Sequence, residues 1–147
     1  MKTNQDSFRY QFTVPQSAEK LTKRLLDVRS WWSNVYGETF SGESEKPGDE
    51  FNFKAGGGAH DTTQRLVELV LGKKIVWLVT ESNLSFLADP EEWKGTRLIF
   101  TLEPKGDETQ VTFTHEGLTQ AIECWDACSN GWTAYLQPLQ KELQGVN

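Results

Sequence analysis

Two alternating strands followed at once by a long aromatic helix occupy the last third of this 147-residue chain and constrain its fold more than anything before them. Arg97-Leu98-Ile99-Phe100-Thr101-Leu102 and Gln110 to His115 read as a hairpin turning at Lys105-Gly106-Asp107. Beyond Gly117-Leu118, the residues Ile122, Trp125, Ser129, Trp132, Leu136, Leu139 and Leu143 follow one another at intervals of three or four. That spacing draws one continuous stripe on a helix. A helix this aromatic has to lie against something broad, and the antiparallel sheet written just before it is the only partner of sufficient size. Where a curved sheet and a long helix cannot fill the space between them, an apolar cavity results. Pro138 lies inside the stripe, removes one backbone donor and predicts a mild kink or a local break.

The upstream residues supply the rest of the sheet. Phe8 to Val14 alternates with period two, Pro15 ends that strand, and Ser17 is placed to cap a helix whose Leu21, Leu25 and Val28 share a buried face. Trp31-Trp32 follows as a short helical turn, with one ring expected to anchor the helix and the other to line the sheet edge. Glu38 to Gly42 and Glu50 to Lys54 read as short strands around the turn Glu45-Lys46-Pro47-Gly48-Asp49. Gly56-Gly57-Gly58 breaks the chain before a long strand from about Thr62 to Leu71. Gly72-Lys73-Lys74 turns it into Ile75 to Thr80, and Asn83 to Glu92 reads as a loop. The order strand, helix, many strands, long helix predicts a single α+β domain over residues 1–147, with helices on one face of an antiparallel sheet.

Charge and composition narrow the function classes. Fifteen basic against 21 acidic residues leave a net charge of −6, and no concentrated basic face is visible, so nucleic acid is not an expected partner. The polar start of the chain has no apolar run and no stretch approaches the ~18 apolar residues of a membrane span, which points to a cytoplasmic protein. Two cysteines are too few for a disulfide scaffold and suit a reducing compartment. Six tryptophans are many for an otherwise hydrophilic acidic chain, and they have to be placed in a core or a pocket.

Strand alternation nominates the residues of that pocket. Val111, Phe113 and His115 share one face, which is expected to look at the helix and to put the His115 imidazole at the cavity mouth. There it would donate to a ligand or act as a base; the competing reading is a structural histidine bonded to the loop before the helix. Leu98, Phe100 and Leu102, then Ile75, Trp77 and Val79, then Phe51 and Phe53 face inward by the same count. Trp132, Tyr135 and Leu136 form the roof, and the Tyr135 hydroxyl needs a partner if buried. The expected ligand-contacting set is therefore Trp32, Phe53, Trp77, Phe100, Phe113, His115, Trp132, Tyr135 and Leu136.

Other candidates carry less. Cys124 and Cys128 are neighbours on one helix face, and buried small hydrophobes are a better reading than half of a metal site. Gly56-Gly57-Gly58 precedes a strand and so presents no helix N-terminus to phosphate; a flexible loop at the cavity rim is expected. His60-Asp61 beside it is expected to be exposed. No serine sits in a nucleophile-elbow context and no carboxylate pair is marked as acid and base, so no catalytic, metal or cofactor site is nominated.

The strand–helix start, Trp93-Lys94-Gly95-Thr96 leading into a strand, Val111-Thr112-Phe113-Thr114-His115-Glu116-Gly117-Leu118 and Gly131-Trp132…Tyr135-Leu136…Leu139 together resemble one family. It comprises the single-domain proteins homologous to the C-terminal domain of the activator of heat-shock-protein-90 ATPase, within the START/Bet v 1-like (SRPBCC) superfamily. The resemblance covers nearly the whole chain and is most specific over residues 93–140. It implies a helix-grip fold, a curved sheet of six to seven strands around a long C-terminal helix with two short helices after the first strand. It also implies a hydrophobic cavity for a small apolar or aromatic molecule. Cyclase- or hydrolase-like chemistry through His115 and Tyr135, and a chaperone partner, are the alternatives it brings. The protein is expected to lack the extra N-terminal domain of the eukaryotic co-chaperones, and Pro138 interrupts a helix that is more regular in many relatives. The word activator therefore does not transfer on fold alone.

Overall fold

In the computed structural model, which describes residues 7–33, 35–119 and 122–145, seven antiparallel strands form one sheet and a long helix lies across it. The strands are β1 (Phe8–Val14), β2 (Thr39–Gly42), β3 (Glu50–Ala55), β4 (His60–Val70), β5 (Lys74–Leu84), β6 (Arg97–Lys105) and β7 (Glu108–Glu116). Helix α1 (Ala18–Leu26) follows β1, a single 3₁₀ turn covers Val28–Ser30, and α2 (Trp125–Leu143) closes the fold. The spatial order is β1-β7-β6-β5-β4-β3-β2, so hairpins make every neighbour pair except β1 with β7. That pairing sets Phe8 opposite His115 and Phe12 opposite Val111, and it joins the first strand to the strand before α2. This is the helix-grip arrangement.

Local chemistry explains the element ends. The Ser17 hydroxyl accepts from the Lys20 backbone N–H and caps α1, whose Leu21 and Leu25 are buried. The Thr22 hydroxyl on the same helix takes the Gly72 N–H of the β4–β5 turn at 2.9 Å, which ties helix to sheet. The start of α2 is capped from outside: Glu92 accepts from the Glu123 and Cys124 backbone N–H groups, both at 3.1 Å. A carboxylate at a helix start satisfies orphan donors and complements the dipole.

Several expectations are corrected. β4 starts at His60 rather than near Thr62, and β6 runs on to Lys105. β5 extends to Leu84 into the expected loop, because its end keeps pairing with the start of β4. Helix α2 continues through Pro138 to Leu143 without a break. Pro138 is exposed, so the carbonyl it fails to pair is on the side that water reaches. Trp31 and Trp32 do not diverge: both are buried and their rings stack, with centroids 5.8 Å apart. Cys124 and Cys128 are buried as expected, but their sulfurs are joined as a disulfide, since the four-residue step brings the Cα atoms to 5.3 Å. Among the described residues no helix is long and apolar enough to cross a membrane.

One backbone approach is tight enough to test. Gly42 ends β2 with φ +97°, and a Cβ there would sit 2.3 Å from the Glu50 carbonyl oxygen. Gly42→Ala should therefore destabilise the protein by about 2 kcal/mol or more. Urea denaturation is the measurement, and an unchanged midpoint would contradict this placement of β2 on β3.

Candidate functional site

A cavity of about 290 Å³ opens between the β3–β4 end of the sheet and the first half of α2. Its floor is Phe53 and Ala55 from β3 with His60 from β4. Its roof is Ala127, Cys128, Gly131, Trp132 and Tyr135, a single face of α2 by their spacing. Trp32 and Trp93 supply inner walls, while Tyr36 and Phe86 stand at the mouth, each about half exposed. Gly56 and Ala59 complete the rim. No Lys, Arg, Asp or Glu is among the lining residues.

The walls are rings braced on rings. Trp32 stacks on Phe53 at 4.2 Å and meets Trp132 at 5.0 Å. Trp132 is stacked with Trp93 at 5.8 Å, and Trp93 takes the His60 ring edge-on at 4.7 Å. Trp31 holds Trp32 from behind and sends its own indole N–H to the Leu25 carbonyl. Gly131 matters by omission of a side chain: a Cβ there would meet no atom within 4 Å, so it faces open space.

His115 is not at the mouth. It is fully buried behind the wall made by Trp93 and Trp132, because the indole of Trp132 on α2 and that of Trp93 from the β5–β6 connection both pack against its ring. The Trp132 indole N–H donates to His115 Nδ1 at 3.0 Å, which makes Nδ1 the acceptor and puts the ring proton on Nε2. Nε2 then donates to the Thr96 hydroxyl at 2.9 Å, and that hydroxyl donates to the Trp93 carbonyl at 2.6 Å. Burial pushes the imidazole down to about 3, with repulsion from His60 adding to it, so the ring is neutral at neutral pH. Both nitrogens are occupied, which leaves none for substrate. The structural histidine is the reading that fits, with the partners on α2 and before β6 rather than in the following loop.

Tyr135 does reach the cavity. Its hydroxyl donates to the Glu38 carboxylate at 2.5 Å, and the same carboxylate accepts from the Tyr36 N–H at 2.8 Å and the Val35 N–H at 3.2 Å. Burial, followed by the hydrogen bond and charge of Glu38, raises the phenol far above its ordinary value. Burial raises Glu38 as well, but the Tyr135 hydroxyl and the backbone N–H groups of Tyr36, Glu38 and Val35 outweigh it and hold the carboxyl low. The pair latches the α2 roof to the mouth segment. It is no acid–base pair for neutral pH, and it does not converge with His115.

Of the nine expected residues, Trp32, Phe53, Trp132 and Tyr135 line the cavity together. Trp77, Phe100, Phe113 and Leu136 face inward but are packed solid beneath it: Trp77 bonds Ser44, while Phe100 and Phe113 press on each other at 5.0 Å. Sequence reasoning missed Trp93, Tyr36, Phe86 and Gly131. It also misplaced His60, whose ring turns inward against Phe53 while Asp61 turns outward to Asn52 and Lys54. The signal for His60 was the alternation of β4, legible once the strand starts two residues earlier. Among the described residues no group of three His, Cys, Asp or Glu is placed to hold a metal.

Residues 21–144 match the sequence model of the family described as Activator of Hsp90 ATPase homolog 1-like protein, and the chain belongs to that family. No curated protein sequence matches it. Among solved structures it is similar to the Aha1 dimer of Colwellia psychrerythraea, at 24% identity over 94% of this chain and 96% of that one, with a TM-score of 0.72. A protein of Chromobacterium violaceum aligns at 19% identity over 95% and 98%, with a TM-score of 0.70. One from Arthrobacter aurescens aligns at 14% over 97% and 89%, with a TM-score of 0.73. At these identities the likeness is one of fold.

The buried imidazoles give the protein an acid-sensitive side. His115 and His60 have folded values of about 3 and about 4, below the ordinary 6.5. Between those values and 6.5 the unfolded chain binds more protons, so stability falls as the pH drops through that window and is unaffected by these groups above it. Glu38 adds in the same direction, losing its contribution as the pH falls through its lowered value. The melting temperature should be flat near pH 7 to 8 and decline steadily from about pH 6.5 toward pH 4. His115→Phe should lower it at pH 7, by leaving the buried Trp132 indole N–H without its acceptor, and should make the decline shallower. An identical slope in that variant would sink the assignment.

Proposed function

We propose that this protein binds a small, uncharged aromatic or alicyclic molecule in the cavity beneath α2. The observation that carries the proposal is the lining: seven of its residues are Trp, Phe or Tyr and none is Lys, Arg, Asp or Glu. A charged ligand would be stripped of water there with no countercharge, which is expensive. A cavity of about 290 Å³ lies at the small end of ligand pockets, which begin near ~300 Å³. It suits a one- or two-ring compound rather than a sterol.

Trp32, Phe53, Trp93 and Trp132 are the proposed ring contacts. Burying about 200 Å² of ligand surface contributes on the order of 5 kcal/mol before the costs of association are subtracted, so the apolar contact by itself supports only weak binding. Polar recognition then has room to matter. Catalysis through His115 and Tyr135 is not favoured, because the first is sealed and the second is bonded to Glu38.

The test combines binding with a filled cavity. Two-ring aromatic compounds should perturb tryptophan emission and raise the melting temperature, whereas cholesterol should do neither. Gly131→Leu projects a side chain into the open space at the roof and replaces a helix-interior glycine, so it should fold at least as stably by about 1 kcal/mol and lose the ligand response. Retention of full binding in a folded Gly131→Leu protein, or silence of the wild type toward the whole panel, would remove the proposal.

A further inference from the structure

The roof of the cavity contains a covalent cross-link. Cys124 and Cys128, the two cysteines of the chain, are joined across the first turn of α2. Their surroundings differ. Cys124 is fully enclosed in the core and is not among the residues that line the cavity. Cys128 keeps 7% of its surface, lines the cavity, and accepts the Trp93 indole N–H on its Sγ at 3.3 Å. One sulfur of the pair is thus part of the wall, and the other is packed behind it.

Bonded sulfurs lie closer together than sulfurs in van der Waals contact, so breaking the bond demands room. The backbone cannot supply it. The Cys128 N–H donates to the Cys124 carbonyl at 2.7 Å, and Glu92 accepts from the Cys124 N–H at 3.1 Å. One side chain therefore has to turn. Cys124 has no free side, and a close-packed interior does not yield the space of a sulfur atom. Cys128 does have a free side, toward the cavity. Three residues on, Gly131 shares that face of α2 and presents open space. A Cys128 thiol turned that way gives up the Trp93 N–H and takes volume that a ligand ring needs.

Resting on the binding reading above, we infer that the Cys124–Cys128 disulfide is a redox control on that site. The oxidised protein binds the aromatic ligand, and reduction by a small dithiol weakens the binding. The balance is a thiol–disulfide exchange: the protein S–S bond takes two electrons and two protons and becomes two cysteine thiols, while the two thiols of the reductant join as its own disulfide. The exchange starts at Cys128, because Cys124 has no exposed surface. Ligand and cross-link are then linked in both directions. The factor by which oxidation raises affinity is the factor by which bound ligand protects the disulfide at equilibrium.

The test uses the full chain and 2-naphthol, an uncharged two-ring probe, at pH 7. Titration calorimetry should find binding to diamide-oxidised protein weakened about fivefold or more by dithiothreitol. In buffers of mixed reduced and oxidised dithiothreitol, saturating 2-naphthol should shift the reduction midpoint by the same factor. Cys124→Ala removes the sulfur that crowds Cys128, so its binding should not respond to dithiothreitol. Equal affinity of the oxidised and reduced wild type, or tighter binding by the reduced form, overturns the redox control and leaves the cavity reading standing. So does an equal loss of binding in Cys124→Ala, or two cysteines that still take iodoacetamide after diamide treatment. Binding of 2-naphthol to neither form overturns both readings.

Discussion

The indole of Trp132 donating to His115 is the interaction on which the rest of the arrangement depends. It fixes the roof helix to the sheet, and through the Nε2–H of His115 and the Thr96 hydroxyl it reaches the carbonyl of Trp93. Two stacked indoles from different elements are thereby held as one wall. A hydrogen bond inside an apolar core is stronger than the same bond in water, and each partner left alone there would be penalised. The network is therefore an all-or-none device, which suits a wall that must stand beside open space. The imidazole that looked most like a reactive group in this chain is the group that keeps others in place.

A cavity survives folding only if its lining resists collapse. Side chains around a void lose dispersion contacts, and a flexible core would close over it. Here the lining is made of flat, stiff rings, each propped by another: Trp31 behind Trp32, Trp32 against Phe53, Trp93 against Trp132. The roof contributes Gly131 and Ala127 where larger residues would fill the gap. At the mouth the Tyr135–Glu38 bond and the Gly56 N–H to the Tyr36 carbonyl hold the entrance segment to the helix and to the β3–β4 turn. The outer face of the sheet, by contrast, is braced by exposed ion pairs such as Arg65 with Glu50, which contribute little individually.

The chemistry of the site follows from what is charged and what is not. Two histidines are neutral because they are buried, a tyrosine is kept protonated by burial and by a neighbouring carboxylate, and the lining itself has no formal charge. On the proposed binding reading, such a site would discriminate by shape and by hydrogen bonding rather than by ionic attraction. It is a poor place to generate a nucleophile and a good one to hold an uncharged ring.

Period and order along the chain were enough for the architecture. Alternation in Phe8–Val14, Ile75–Val79, Leu98–Leu102 and Val111–His115 specified strands and their inward faces, and the stripe from Trp125 to Leu143 specified the helix that covers them. These are local properties, written in the spacing of apolar residues, and the inward orientation of Trp77, Phe100, Phe113 and Leu136 came with them. Which inward residues meet open space was not local. Trp93 enters the wall because Glu92 beside it caps α2, and His60 turns inward because β4 begins at that residue rather than after it. Phe100 and Phe113 are excluded because Trp31 and Trp132 already cover them. A side chain's partner across the sheet or beneath the helix depends on distances between elements remote in sequence, and a shift of one ring decides between core and cavity. Sequence alone determined which faces are apolar; only the tertiary structure decided where that apolar surface is left uncovered.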